Sequence, residues 1–211
     1  MAEARTAEAT VSDWMGGVSP YGVSHKKLGM WLFIASDSLT FSALLVAYSY
    51  VRAASGTWPV PFHFWPSIVM ASVMTLFLLS SSLTMVFGVE AAKKGDTSRA
   101  VRFIVLTMLG GLGFVVLHLN EWRGLIHEGV RLTQNPWGAP LFGGTFFTLT
   151  GLHMAHVASG LVYLGVIAAG FSRKRYTAED VEISGLYWHF VDLVWMFIFP
   201  LVYLLSVPIE K

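Results

Sequence analysis

Five runs of mostly apolar residues, 28–51, 67–89, 103–122, 141–171 and 186–207, restrict the fold of this chain more than any other feature. Each is long enough to cross a hydrocarbon core of about 30 Å as a helix. No water reaches that core, so backbone N–H and C=O groups must pair within the segment, and runs of this length do so as helices. The sequence therefore predicts an all-α membrane protein, a bundle of five transmembrane helices. Composition agrees: hydrophobic residues are 55% of the chain and charged residues 13%, well below the soluble average. The loops leave no room for a soluble catalytic domain.

The segments between the spans set the domain reading. Residues 1–24 are polar and broken by Gly16, Gly17 and Pro20, so they read as an N-terminal arm ahead of a five-helix domain over 25–211. They hold no apolar core, and no cleaved signal peptide is read there. Residues 58–66 form a loop rich in proline, 90–102 a polar loop, 123–140 a longer connection ending in Asn135-Pro136-Trp137-Gly138, and 173–184 a charged loop. With the N-terminus cytoplasmic, that side carries Arg5, Lys26, Lys27, Lys93, Lys94, Arg99, Arg102, Arg173, Lys174 and Arg175. The other side carries only Arg52, Arg123, Arg131 and Lys211. The bias predicts the N-terminus in and the C-terminus out. Without cysteine there is no disulfide, thiolate ligand or iron–sulfur cluster, and a net charge of +1 with no basic patch gives no sign of a nucleic-acid partner.

Ionisable residues within the spans need partners, because a charge near the bilayer centre costs on the order of 3 kcal/mol. Asp37 is the only charge in the first span. It reads either as a protonatable or lipid-contacting group, or as a neutral side chain hydrogen-bonded to a neighbouring helix. His118 and Glu121 lie three apart in the third span, His153 and His156 in the fourth, and His189 and Asp192 in the fifth. Each pair shares a helical face. Paired histidines raise the question of haem or metal. Two histidines three apart on one helix cannot bracket a haem, however, and no HExxH pattern occurs. The residues thus read as hydrogen-bonding groups between closely packed helices, with Gly144, Gly151, Ser159, Gly160 and Gly165 allowing close approach. Trp31, Trp58, Trp65, Trp122, Trp137 and Trp188 read as interfacial anchors. Trp188 and Trp195 lie two turns apart on nearly one face, and Pro200 should kink the last span near its outer half. No catalytic, cofactor-binding or metal-ligating set is assigned.

Three blocks carry a family resemblance. GTFFTLTGLHMAHVASG (144–160) resembles the most recognisable stretch of subunit III of the haem–copper respiratory oxidases. LYWHFVDLVWMFIFPLVYLL (186–205) is similar to that family's closing helix, and HKKLGMWLFIASDSLTFSALLVAYSYV (25–51) to its helix bearing an intramembrane carboxylate. The resemblance implies a non-catalytic subunit of a proton-pumping terminal oxidase that reduces dioxygen to water in aerobic electron transport, taking electrons from cytochrome c or quinol. The haems and copper would belong to partner subunits, with subunit I and subunit II (and a subunit IV) as neighbours and phospholipid as a bound companion. The chain would sit in the bacterial cytoplasmic membrane, beside the mouth of the proton-uptake path of subunit I. There it would keep proton delivery fast and protect the complex during turnover.

The resemblance also places residues. The family carboxylate falls on Asp37, its buried His/Gln–Glu position on His118 and Glu121, and its histidine-bearing helix on His153 and His156. The WHFVD motif falls on Trp188, His189, Phe190, Val191 and Asp192. Five spans rather than seven match the short bacterial form, and Asp37 stands where glutamate is commoner. Two other functions remain open from the residues: a free-standing transporter or proton channel using Asp37, Glu121 and the histidines as a relay, and the related accessory protein of a nitric oxide reductase.

Overall fold

In the computed structural model, residues 22–207 are described. Most of the N-terminal arm read over 1–24 therefore lies outside the described residues, as do Arg5 and Lys211. Five helices follow one another: α1 (His25–Ala54), α2 (Val69–Lys93), α3 (Thr97–His127), α4 (Leu141–Ser172) and α5 (Ala178–Ile198). A kinked segment, Phe64–Ile68, in which Trp65 is extended, leads into α2, and a π-helical turn, Phe199–Tyr203, extends α5 and passes into the short turn Leu204–Ser206. All five spans have the length and hydropathy to cross a membrane, and the described residues contain no strand.

Several helices outrun the apolar stretches read from sequence. Helix α3 continues to His127, into the segment taken as a connection. Helix α5 starts at Ala178, inside the segment taken as a charged loop. The cause there is local. Thr177 Oγ1 accepts from the Asp180 N–H, and Asp180 Oδ2 accepts from the Thr177 N–H at 2.8 Å, a reciprocal capping box. The charges of that first turn are also paired. Lys27 Nζ lies 2.8 Å from Glu182, Lys93 Nζ 3.1 Å from the same carboxylate, and Lys26 Nζ 3.3 Å from Asp180. These bonds hold the start of α1, the end of α2 and the start of α5 together at one end of the bundle.

Helix α5 is the hub, packing on α1, α2 and α4, while α3 closes the ring between α2 and α4. Half of its spanning window is buried, against 6% for α1. Lipid tails are as apolar as leucine, so packing inside a bilayer is decided by close contact and interhelical hydrogen bonds rather than by escape from water. Both operate at Trp188, which is 1% exposed. Its ring fills a slot with glycine on two walls: a Cβ at Gly111 would stand 2.4 Å from the ring, closer than side chains tolerate, and one at Gly160 a tight 3.1 Å. Its Nε1 donates to Ser81 Oγ of α2 at 2.9 Å. Two turns on, the fully buried Trp195 donates in the same way to Thr75 Oγ1 at 2.9 Å. Trp188 is therefore a core residue and not the interfacial anchor read from sequence. Trp31 and Trp65, by contrast, are exposed.

Pro200 lies inside the π-helical turn, which begins where regular α5 ends. Proline lacks the N–H that an α-helical bond would use, and the chain resumes with Leu204 donating back to Phe199 O and Pro200 O. The turn delivers Tyr203 to the interior, fully buried against Phe62 of the 58–66 loop at 4.7 Å between ring centroids.

Candidate functional site

The singled-out polar residues divide into two groups. The larger spans α1, α3 and α4, with Trp195 of α5 packed among its members. Asp37 Oδ2 of α1 lies 3.0 Å from His156 Nε2 of α4, with 14% and 15% of the two side chains exposed. His156 Nδ1 lies 2.8 Å from Leu152 O, which can only accept, so Nδ1 carries a hydrogen. A neutral imidazole then offers only a lone pair at Nε2. Asp37 and His156 thus form a close polar pair between α1 and α4.

From this pair an aromatic cluster leads inward. Phe41 lies edge-on to both His156 (5.2 Å) and His153 (6.4 Å). His153 stacks on Trp195 at 5.3 Å and is fully buried, and neither of its ring nitrogens meets a hydrogen-bond partner among the described residues. His118, also fully buried, stacks on Phe114 at 5.4 Å and meets Trp195 edge-on at 5.6 Å. Its Nδ1 lies 3.4 Å from Glu121 Oε2, and the Tyr203 hydroxyl donates to the same oxygen at 2.7 Å. Asp37, His156, His153, His118 and Glu121 thus form an interrupted row, with the Trp195 and Phe114 rings set among the histidines. Among the described residues no group of three or more His, Cys, Asp or Glu side chains converges as a metal site.

The second group faces α2. His189 Nδ1 lies 2.6 Å from Ser82 Oγ. Asp192 is 7% exposed, and its Oδ1 meets no hydrogen-bond partner among the described residues. His189 also lines a cavity of about 360 Å³ at the α2–α5 seam, whose mouth carries Glu90, Lys93 and Glu182. Sequence reasoning placed His189 and Asp192 on one face correctly but did not find Ser82, one of three consecutive serines in an apolar span. It also missed Tyr203 and Thr75. The available signal was a hydroxyl in hydrocarbon that needs a partner.

The sequence model of the family described as "Cytochrome c oxidase subunit III" matches residues 9–207. The chain belongs to the cytochrome c oxidase subunit III family. It is 33% identical over 187 residues to "Cytochrome c oxidase subunit 3" of Bacillus sp. (strain PS3), covering 86% of each chain. It is 35% identical over 184 residues to "Quinol oxidase subunit 3" of Bacillus spizizenii, covering 85% of this chain and 86% of the relative. A third relative, "Cytochrome c oxidase subunit 3" of Corynebacterium diphtheriae, is 32% identical over 185 residues, covering 85% and 87%. All three blocks read as subunit III-like lie within the matched range. The fold of this subunit III chain brings them together around Phe41, which touches His153 and His156 of the second block and Phe190 of the third.

Proposed function

We propose that this chain is the non-catalytic subunit III of a haem–copper terminal oxidase, a multi-pass component that supports assembly, stability and proton supply of the catalytic subunit. The observation that carries the reading is the collinear family match over 9–207, with relatives named for cytochrome c and for quinol oxidases at closely similar identity. The haems and copper belong to partner subunits I and II, and subunit IV and membrane phospholipid complete the surroundings. The seven polar residues, Asp37, His118, Glu121, His153, His156, His189 and Asp192, act by holding helices in register. Asp37 additionally keeps a proton within reach of the α1 surface. The N-terminus faces the cytoplasm of a bacterial inner membrane. Support comes from the basic cluster of Lys26, Lys27 and Lys93, which shares one end of the bundle through its bonds to Asp180 and Glu182.

The test is deletion of this subunit from its native membrane. Membranes lacking it should retain the haem spectrum of the oxidase while oxygen consumption decays faster over successive turnovers than in wild type. An oxidase of unchanged rate and unchanged turnover lifetime would contradict the proposed role.

A further inference from the structure

A cavity of about 200 Å³ opens beside the C-terminal part of α3, between that helix and the segment entering α2. Its walls are apolar, with Phe62, Pro66 and Leu125, and its polar lining includes Asn120, Glu121 and Glu128. No lysine, arginine or histidine lines it among the described residues. The floor is unusual. The Glu121 side chain is 9% exposed; its Oε2 accepts from Tyr203, and its Oε1 is buried with no hydrogen-bond partner among the described residues. The Tyr203 hydroxyl occupies Oε2 as an acceptor and leaves Oε1 as the open position of the carboxyl group. An acceptor left bare in such a place costs on the order of 1–3 kcal/mol, and more if charged, unless a ligand or solvent completes it.

Several features favour positive charge here. Glu128 adds a second carboxylate at the exposed rim and caps α3, so the negative end of the helix dipole lies beside it. Asn120 adds an amide oxygen. The volume far exceeds what one water needs. A bare metal ion is a poor fit, because hard cations take about six or more oxygen ligands and much of this wall is carbon. An ammonium on a short apolar stem matches both halves of the lining: the charge at Glu121 and the stem against Phe62, Pro66 and Leu125.

We propose that this crevice binds a small organic ammonium, with Glu121 as its counter-ion. The same chemistry could arrive as a free alkylamine or as the ethanolamine head group of a phospholipid. The inference goes beyond the oxidase assignment and does not depend on it.

The experiment uses the full chain with whatever co-purifies, in mild detergent. Thermal midpoint and titration calorimetry are followed with ethanolamine hydrochloride, and with potassium chloride and ethanol as controls at matched concentration. Ethanolamine should raise the midpoint saturably while both controls do not. Glu121→Gln should weaken binding about tenfold or more, equivalent to about 1.4 kcal/mol, and Glu128→Gln a few-fold. Both rim residues are exposed, so Glu128→Gln and Asn120→Leu carry the test if Glu121→Gln fails to fold. Mass spectrometry of retained lipid then separates the sources. Phosphatidylethanolamine kept through detergent washing by wild type and lost from Glu121→Gln identifies the head group; retention equal in both, alongside ethanolamine binding, identifies a free amine. Stabilisation matched by potassium chloride or ethanol, no response to ethanolamine, or an undiminished response in the Glu121 and Glu128 variants would overturn the proposal.

Discussion

Single residues in this bundle are held by hydrogen bonds that cross between helices, and their removal is the sharpest probe of the interior. Trp195 Nε1 has Thr75 Oγ1 as its acceptor. Thr75→Val keeps the shape but strands that donor, so it should cost about 1–2 kcal/mol, seen as a midpoint lowered by roughly 2–8 °C in detergent. An unchanged midpoint would show that another acceptor takes over. Asp37 allows a graded comparison. Asp37→Asn keeps a hydrogen-bonding partner for His156 and should leave the bundle and the haem content of any co-purifying oxidase intact. Asp37→Leu leaves His156 Nε2 facing carbon and should lower the midpoint by several degrees more. Loss of haem in the Asn variant would mean that the carboxylate itself is needed for assembly. At this scale the sequence was partly readable. Asp37, His118, Glu121, His153 and His156 were picked out because charge and imidazole are conspicuous in hydrocarbon, and the three helices that carry them, α1, α3 and α4, bring them into one interior row. Trp188 was misread, because a tryptophan near the end of an apolar run looks the same in a lipid belt and in a glycine-walled slot. The difference lies in Gly111 and Gly160, which are distant in sequence.

Among the elements, α1 is the least embraced, and its attachment depends on a few specific contacts. At one end Lys26 and Lys27 reach Asp180 and Glu182. At the other, Tyr48 lies 3.4 Å from Ser206 Oγ, and Arg52 donates to Ser206 Oγ and to the Leu205 carbonyl. Glu182 serves Lys27 and Lys93 at once. Glu182→Ala should therefore speed amide exchange in the first two turns of α1 while costing under about 1 kcal/mol overall, because the pairs are partly exposed. High salt should reproduce part of the effect. Exchange confined to its wild-type rate would show that α1 is held by its buried face alone. The start of α5 was hidden in sequence by the same charges. A segment containing Glu179, Asp180 and Glu182 reads as loop until the capping box and the lysines of α1 and α2 are brought against it. Pro200 was read as a kink; it falls in the π-helical turn that follows regular α5. Its consequence, the placing of Tyr203 on Glu121, required knowing which way the π-helical turn rotates the chain.

At the scale of the whole molecule, five apolar runs were enough to specify an all-helical membrane bundle, since hydrocarbon admits few alternatives. The packing order was not readable, because it depends on which small residues face which rings. Function was legible through the three blocks of family resemblance and not through any assembled active site. The central claim is that these submerged polar groups belong to a supporting subunit whose redox chemistry resides in its partners. The most direct measurement is purification through a tag on this chain in mild detergent, with mass spectrometry of the co-purifying subunits, a reduced-minus-oxidised spectrum and an oxygen electrode trace. The account predicts a haem–copper catalytic subunit in the preparation, haem bands and oxygen consumption, with bands and activity both absent once this chain is separated from its partners. A chain that purifies alone from its native membrane, or that carries protons across vesicles without any oxygen-consuming companion, would contradict it.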